Sequence, residues 1–271
     1  MIMKKISYLL AALGFSLALV PAFALAQTAG VGVSANATVT TPAASVTMSA
    51  SAMAAAKSRG DKELDRRVEA LTDANIRVQA MQKVTPTFKD NLGTALQTQI
   101  AAFNALKTKI DADTDAATLK TDIQSITQSY RVYALVLPQV RIAAAADRAV
   151  TISTMMQILG TKLAARIQAA GAAGADVTAL TATLDDLGSK ISDASTEAQA
   201  AVTTSASLAP DNGDKTVMAS NNAALKTART SLSTANTDLK AARKDIDTIV
   251  KGLKKAEASV SATTTASTST N

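Results

Sequence analysis

The chain has no cysteine, no histidine and no tryptophan. Without Cys and His it lacks the commonest general base, the usual zinc and copper ligands, and thiol chemistry. It cannot form a disulfide, and a lipid anchor on an N-terminal cysteine is excluded. Aromatics are scarce too. Of three Tyr and four Phe in 271 residues, only Phe88, Phe103, Tyr130 and Tyr133 lie beyond residue 26. Large rings usually anchor broad cores. Their scarcity points to narrow seams of Leu, Ile, Val and Ala between long helices. The glycines stand singly at helix ends or within helices, so no phosphate-cradling loop is present. No spacing singles out a nucleophile and base, and no cofactor is implied.

What is present begins with a leader. Lys4 and Lys5 precede an apolar run from Ile6 to Val20. Pro21 then breaks the helix, and Ala24-Leu25-Ala26 suits cleavage before Gln27. Residues 1–26 read as a signal peptide, although the run is nearly long enough to act as an anchor. Export to the periplasm, cell surface or exterior is the expectation. The formal charge of +6 falls to +4 without Lys4 and Lys5, short of the basic clustering of a nucleic-acid binder.

Residues 27–56 are mostly Ala, Ser, Thr and Val, uncharged, with Gly30, Gly32 and Pro42 among them, and read as a flexible linker. Residues 256–271, ending T-T-T-A-S-T-S-T-N, read as a disordered tail. Between them, residues 57–255 read as an elongated antiparallel all-α bundle with coiled-coil-like packing. Residues 57–137 form an N-terminal helical group, and 138–255 a long three-helix unit.

Leu64, Val68, Leu71, Asn75 and Val78 share one helix face. Thr85-Pro86 starts a second helix, with Leu92, Leu96, Phe103, Leu106 and Ile110 buried. A third carries Leu119, Ile123, Ile126, Tyr130, Tyr133 and Leu137, and Pro138 predicts a kink or break there. The next helix runs to about Ala170 on Ile152, Met155, Leu159, Leu163 and Ile167. Gly171 and Gly174 end it, and Asp176 caps a fifth, on Val177, Leu180, Leu184, Leu187 and Ile191. After the Pro210–Gly213 turn, Leu225, Leu232, Leu239, Ile246 and Leu253 recur every seven residues. Ala228, Ala235, Ala242 and Ile249 fill the other seam position, which describes a coiled-coil-like surface.

The three long helices differ in charge. Pro138–Ala170 has four basic residues and one acidic, Ala175–Leu208 one and five, Asp214–Lys255 nine and four. The acidic helix is therefore expected between the two basic ones. Asp185, Asp186, Asp193 and Glu197 would select that order.

Three constellations could carry chemistry. Asp111, Asp113, Asp115 and Asp122 take positions one, three, five and twelve of an EF-hand-like loop, a spacing that can aim carboxylates at calcium. Ala116 replaces the turn glycine, so an acidic turn capping the next helix is the competing reading. Tyr130, Arg131, Tyr133, Arg141, Asp147 and Arg148 could line a ligand notch beside Pro138. They could equally be a satisfied structural network. Lys240, Arg243, Lys244, Lys251, Lys254 and Lys255 form a basic stretch that could touch anionic lipid, glycan or nucleic acid, but Asp245 and Asp247 dilute it, and a solvated helix end is the competing reading.

K-T-K-I-D-A-D-T-D (Lys107–Asp115), the run from Ser129 to Arg148, and A-A-R-K-D-I (Ala241–Ile246) resemble a group of uncharacterised secreted, alanine-rich helical proteins of uncultured bacteria. The resemblance implies export and an all-helical fold. It carries no activity and no site residues. The expected function is non-enzymatic: a structural, adhesive or envelope-associated helical protein. The alternative is a binding or chaperone-like module for a partner helix, an apolar ligand or a membrane surface. A cell-envelope component or further copies of the chain are the expected partners, and nucleic acid is not.

Overall fold

The computed structural model describes residues 48–268, except 129, 130, 207, 209 and 212. The signal-peptide reading, most of the linker, Tyr130 and the last three residues lie outside the described residues. Among those described there are six α-helices, one π-helical turn and no strand, so the fold is all-α. None of these helices is long and apolar enough to cross a membrane.

The first three helices are α1 (Ala50–Ala80), α2 (Pro86–Ala112) and α3 (Ala116–Gln128). On α1 the buried residues are Ala56, Gly60, Leu64, Arg67, Leu71, Ala74 and Val78, a stripe at spacings of three and four. It meets Leu92, Leu96, Phe103, Leu106 and Ile110 of α2, with Leu119 and Ile126 of α3. Phe103 is fully buried and is the largest side chain so enclosed among the described residues. Thr85 caps α2, its hydroxyl accepting from Phe88 N at 3.3 Å, with Pro86 in the first turn where no N–H is needed.

The linker reading fails over its last residues. Helix α1 begins at Ala50, capped by the Ser49 side chain on Ala52 N at 3.3 Å. Met53 and Ala56 pack against the core cluster. The Ala-rich stretch is uncharged but has strong helix propensity and a contact to make.

The break between the helical groups precedes Pro138. Helix α3 ends at Gln128, and Arg131 holds a left-handed backbone with φ 41°. A π turn over Val132–Val136 then leads directly into α4 (Leu137–Ala172). Pro138 lies in the first turn of α4, directly after the π turn, and Leu137 N donates to Val132 O in the wider π pattern. Arg131 therefore marks the break, and from Val132 the chain is continuously helical through Pro138.

Helices α4, α5 (Thr178–Ala206) and α6 (Lys215–Thr268) all pack on one another. One cluster joins Ala146 and Ala149 to Ala194, Ala198 and Ala201 and to Leu225, Ala228, Leu232, Ala235 and Leu239. A second joins Leu163, Ile167 and Ala170 to Leu180, Leu187 and Ile191 and to Ala242, Ile249 and Leu253. From the first cluster to the second, residue numbers rise in α4 and α6 and fall in α5, so α5 runs opposite to both. Every seam residue named for α6 is buried except Ile246, which is half-buried.

On α4 the seam is not the one the bulky residues suggest. Met155 and Leu159 are 63% and 38% exposed, whereas Ala146, Ala149, Ser153 and Leu163 are buried. Small side chains allow close helix approach, and the contact line follows them. The charge expectation also fails in detail. Helix α5 does contact both neighbours, but among the described residues none of Asp185, Asp186, Asp193 and Glu197 forms an ion pair with α4 or α6. Instead Lys190 of α5 pairs with Asp245 of α6 at 2.8 Å, and Arg166 of α4 with Glu257 of α6 at 2.6 Å.

The helices have 36, 29 and 54 residues, against roughly 33, 34 and 42 expected from pattern and turn signals. Helix α6 continues to Thr268, which contradicts the disordered-tail reading over most of its length. Extending an existing helix needs no new nucleus, and Glu257 ties its first added turn to α4.

Candidate functional site

The carboxylates of the calcium-like loop face different partners and do not converge on one point. Helix α3 starts at Ala116 and makes Asp115 a capping residue. Its carboxylate accepts from Thr118 N at 2.8 Å and Thr118 Oγ1 at 2.9 Å, and these bonds hold it below the usual carboxylate range. Asp113 turns instead to Asp122, and Asp111 to Asp61. Lys109 pairs with Asp122 at 2.8 Å, and Lys57 donates to the Asp111 carbonyl at 2.7 Å. Burial first, and then the facing carboxylate, push Asp61 and Asp113 above the usual range. Among the described residues no three acidic groups are placed to hold a metal ion. Without a glycine at position six, the loop enters a helix where a calcium site needs a sharp turn.

The notch residues are dispersed. Arg131 reaches the buried Asp211 in the turn between α5 and α6, donating from Nη2 at 3.0 Å and Nε at 3.3 Å. Asp211 also accepts from Gly213 N at 3.0 Å; that bond chiefly, and then Arg131, hold its carboxyl low against its burial. The Tyr133 ring lies under two guanidinium groups of α1, 5.8 Å from Arg66 and 5.1 Å from Arg67. Glu63 binds both arginines. Arg141 is exposed at a separate hollow of about 190 Å³ between α1 and α4. Arg148 is exposed beside Ile152 and Met155, at a hollow of about 410 Å³.

Asp147 is the informative member. Its Oδ1 accepts from three successive backbone N–H groups of the α1–α2 loop: Gln82 at 2.8 Å, Lys83, and Val84 at 3.1 Å. A carboxylate on α4 thereby pins a loop more than 60 residues away in sequence. Three donors on one charged acceptor make a strong tie.

That tie forms one wall of a cavity of about 370 Å³, where the α1–α2 loop and the start of α2 face α4 and α5. Val84 and Phe88 belong to the edge of the N-terminal core cluster. Val150 and Val202 belong to the edge of the cluster between α4, α5 and α6. The cavity therefore lies where the two helical groups meet, with apolar walls from both. Lys83, Thr85, Gln199 and Thr203 supply its polar edge. Sequence reasoning found Asp147 but not Lys83, Phe88, Val150 or Val202. The two valines lie just beside the seams, and nothing in the sequence relates residues 83–88 to either.

The basic stretch of α6 is exposed, apart from its diluting Asp245, which is taken up by Lys190. It is not a helix end, because α6 continues beyond Lys255 to Thr268. No protein-family model, no curated protein and no solved structure matches this chain.

Proposed function

We propose that this is an exported, non-enzymatic protein that works by shape, as a structural, adhesive or envelope-associated component. Its helices form an elongated antiparallel bundle, with coiled-coil-like packing along the Leu/Ala seam of α6. One observation carries the reading: the charged and aromatic groups that stand out in the sequence are largely spent on ties between elements. Arg131 binds Asp211, Asp147 binds the 82–84 loop, and Tyr133 lies against Arg66 and Arg67. Such ties hold a shape and leave these groups little freedom to act on a substrate. The heptad spacing from Leu225 to Leu253 and the resemblance to secreted alanine-rich helical proteins support the same reading.

Expression of the whole chain in a bacterium, followed by fractionation and intact mass, tests it. The expected product lacks residues 1–26 and cofractionates with the cell envelope. Recovery of the uncut chain from the cytoplasm overturns the proposal.

A further inference from the structure

We propose that the cavity at the junction of the two helical groups is a binding site for an aliphatic carboxylate, with the chain between the apolar walls and the head at Lys83. The proposal does not depend on export or on a structural role.

The volume of about 370 Å³ lies within the range of small-ligand pockets. The walls come from independent elements: Val84 and Phe88 on one side, Val150 and Val202 on the other. All four are only partly buried, so each retains apolar surface that a hydrocarbon chain can cover. The site is also held open in advance. Asp147 fixes residues 82–84 whether or not a ligand is present, which lowers the ordering cost of binding.

The polar edge selects the head group. Lys83 is the one cation in the lining, and its ammonium group makes no ion pair among the described residues. The Gln199 side-chain amide likewise has no partner among them. Asp147 is the one acid in the lining, and its Oδ1 already accepts three N–H groups of the loop. The Thr203 hydroxyl donates to Gln199 O at 3.1 Å. The first turn of α2, with Thr85 and Phe88 in the lining, adds the positive end of a helix. Lys83 offers only donors and the Gln199 amide adds two more N–H groups, and a carboxylate is an acceptor-only group. Among equal chains, an acid should bind better than an alcohol, and an alcohol better than an amine.

Isothermal titration of the full chain with decanoate, decan-1-ol and decylamine tests this ranking. Decanoate should bind saturably at one site, with decylamine at least about tenfold weaker. Thr203→Trp places a large ring at the exposed mouth without touching the core, and should abolish binding. Lys83→Ala should weaken decanoate about tenfold and leave decan-1-ol unchanged, because only the charged hydrogen bond is lost. Unchanged decanoate binding in both variants, equal binding of decylamine, or no saturable decanoate binding below its micelle concentration would each overturn the assignment.

Discussion

Arg131 and Asp211 meet across 80 residues of chain, with both Nε and Nη2 of the guanidinium directed at the one oxygen Oδ1. The pair ties the break before α4 to the turn before α6. Arg131 accepts an unfavourable left-handed backbone to make it, and glycine would relieve that strain. Arg131→Ala keeps the strain and loses the pair, while Arg131→Gly loses the pair and the strain together. Both variants should melt below wild type. The glycine variant should melt above the alanine variant by about 2–4 °C, the shift for about 1 kcal/mol in a domain of this size. Equal melting of the two variants would show that the backbone at 131 relaxes without cost.

Asp147 should matter more to the α1–α2 loop than to any helix. Asp147→Ala strands three N–H donors, one of them half-buried, and should cost about 1–3 kcal/mol. Asp147→Asn keeps one acceptor oxygen and should cost less. Native-state hydrogen exchange is the sensitive readout. The amides of Gln82, Lys83 and Val84 should exchange faster in Asp147→Ala, while those of Leu64 and Leu71 in the α1 core change little. Uniform acceleration across α1 would mean that the tie stabilises the whole fold.

Asp113, which faces the carboxyl of Asp122, gives a pH dependence of opposite sign to the helix caps. Asp113 is raised above its ordinary value, so the folded state holds its proton to higher pH than the unfolded chain does. Its contribution is fully present below the unfolded value, near 4, and is lost as pH rises through the folded value. Asp115, Asp176 and Asp211 are held low, and their contribution disappears as pH falls. Asp113→Asn should therefore raise the melting temperature at pH 7 and have little effect near pH 3.5. The difference between variant and wild type, followed across pH, isolates this group from the caps. A larger gain in acid than at neutral pH would refute the raised carboxyl of Asp113.

Much of the local structure was legible because it depends on neighbours in sequence. Thr85-Pro86 starts α2, Asp176 accepts from Thr178 N at 3.0 Å beside the start of α5, and Asp211 and Gly213 form the last turn. The repeats of three and four residues located the buried faces of α1, α2 and α6. Where small residues made the contact, as at Ala149 and Ser153 of α4, the bulky side chains misled. A hydrophobicity pattern records size and greasiness, but helix approach depends on what is small enough to allow it. The helix ends at Ala50 and Thr268 were missed because Ala, Ser and Thr stretches read alike in a linker and in a helix that has something to pack against or extend from.

The sequence by itself determined the all-helical class, the main seams and the turns, since these follow from periodicities and caps only a few residues long. Tertiary structure alone decided which charges meet. Asp147 serves a loop more than 60 residues earlier, Arg131 serves a turn 80 residues later, and Lys190 answers Asp245 in place of the sign pattern expected from whole-helix charge. The cavity arises in the same way. Val84 and Phe88 come to face Val150 and Val202 because two cores, each closed on its own seam, meet along α4 with unequal surfaces. A local pattern encodes which face of a helix is buried, but the space left between two packed bodies depends on both at once.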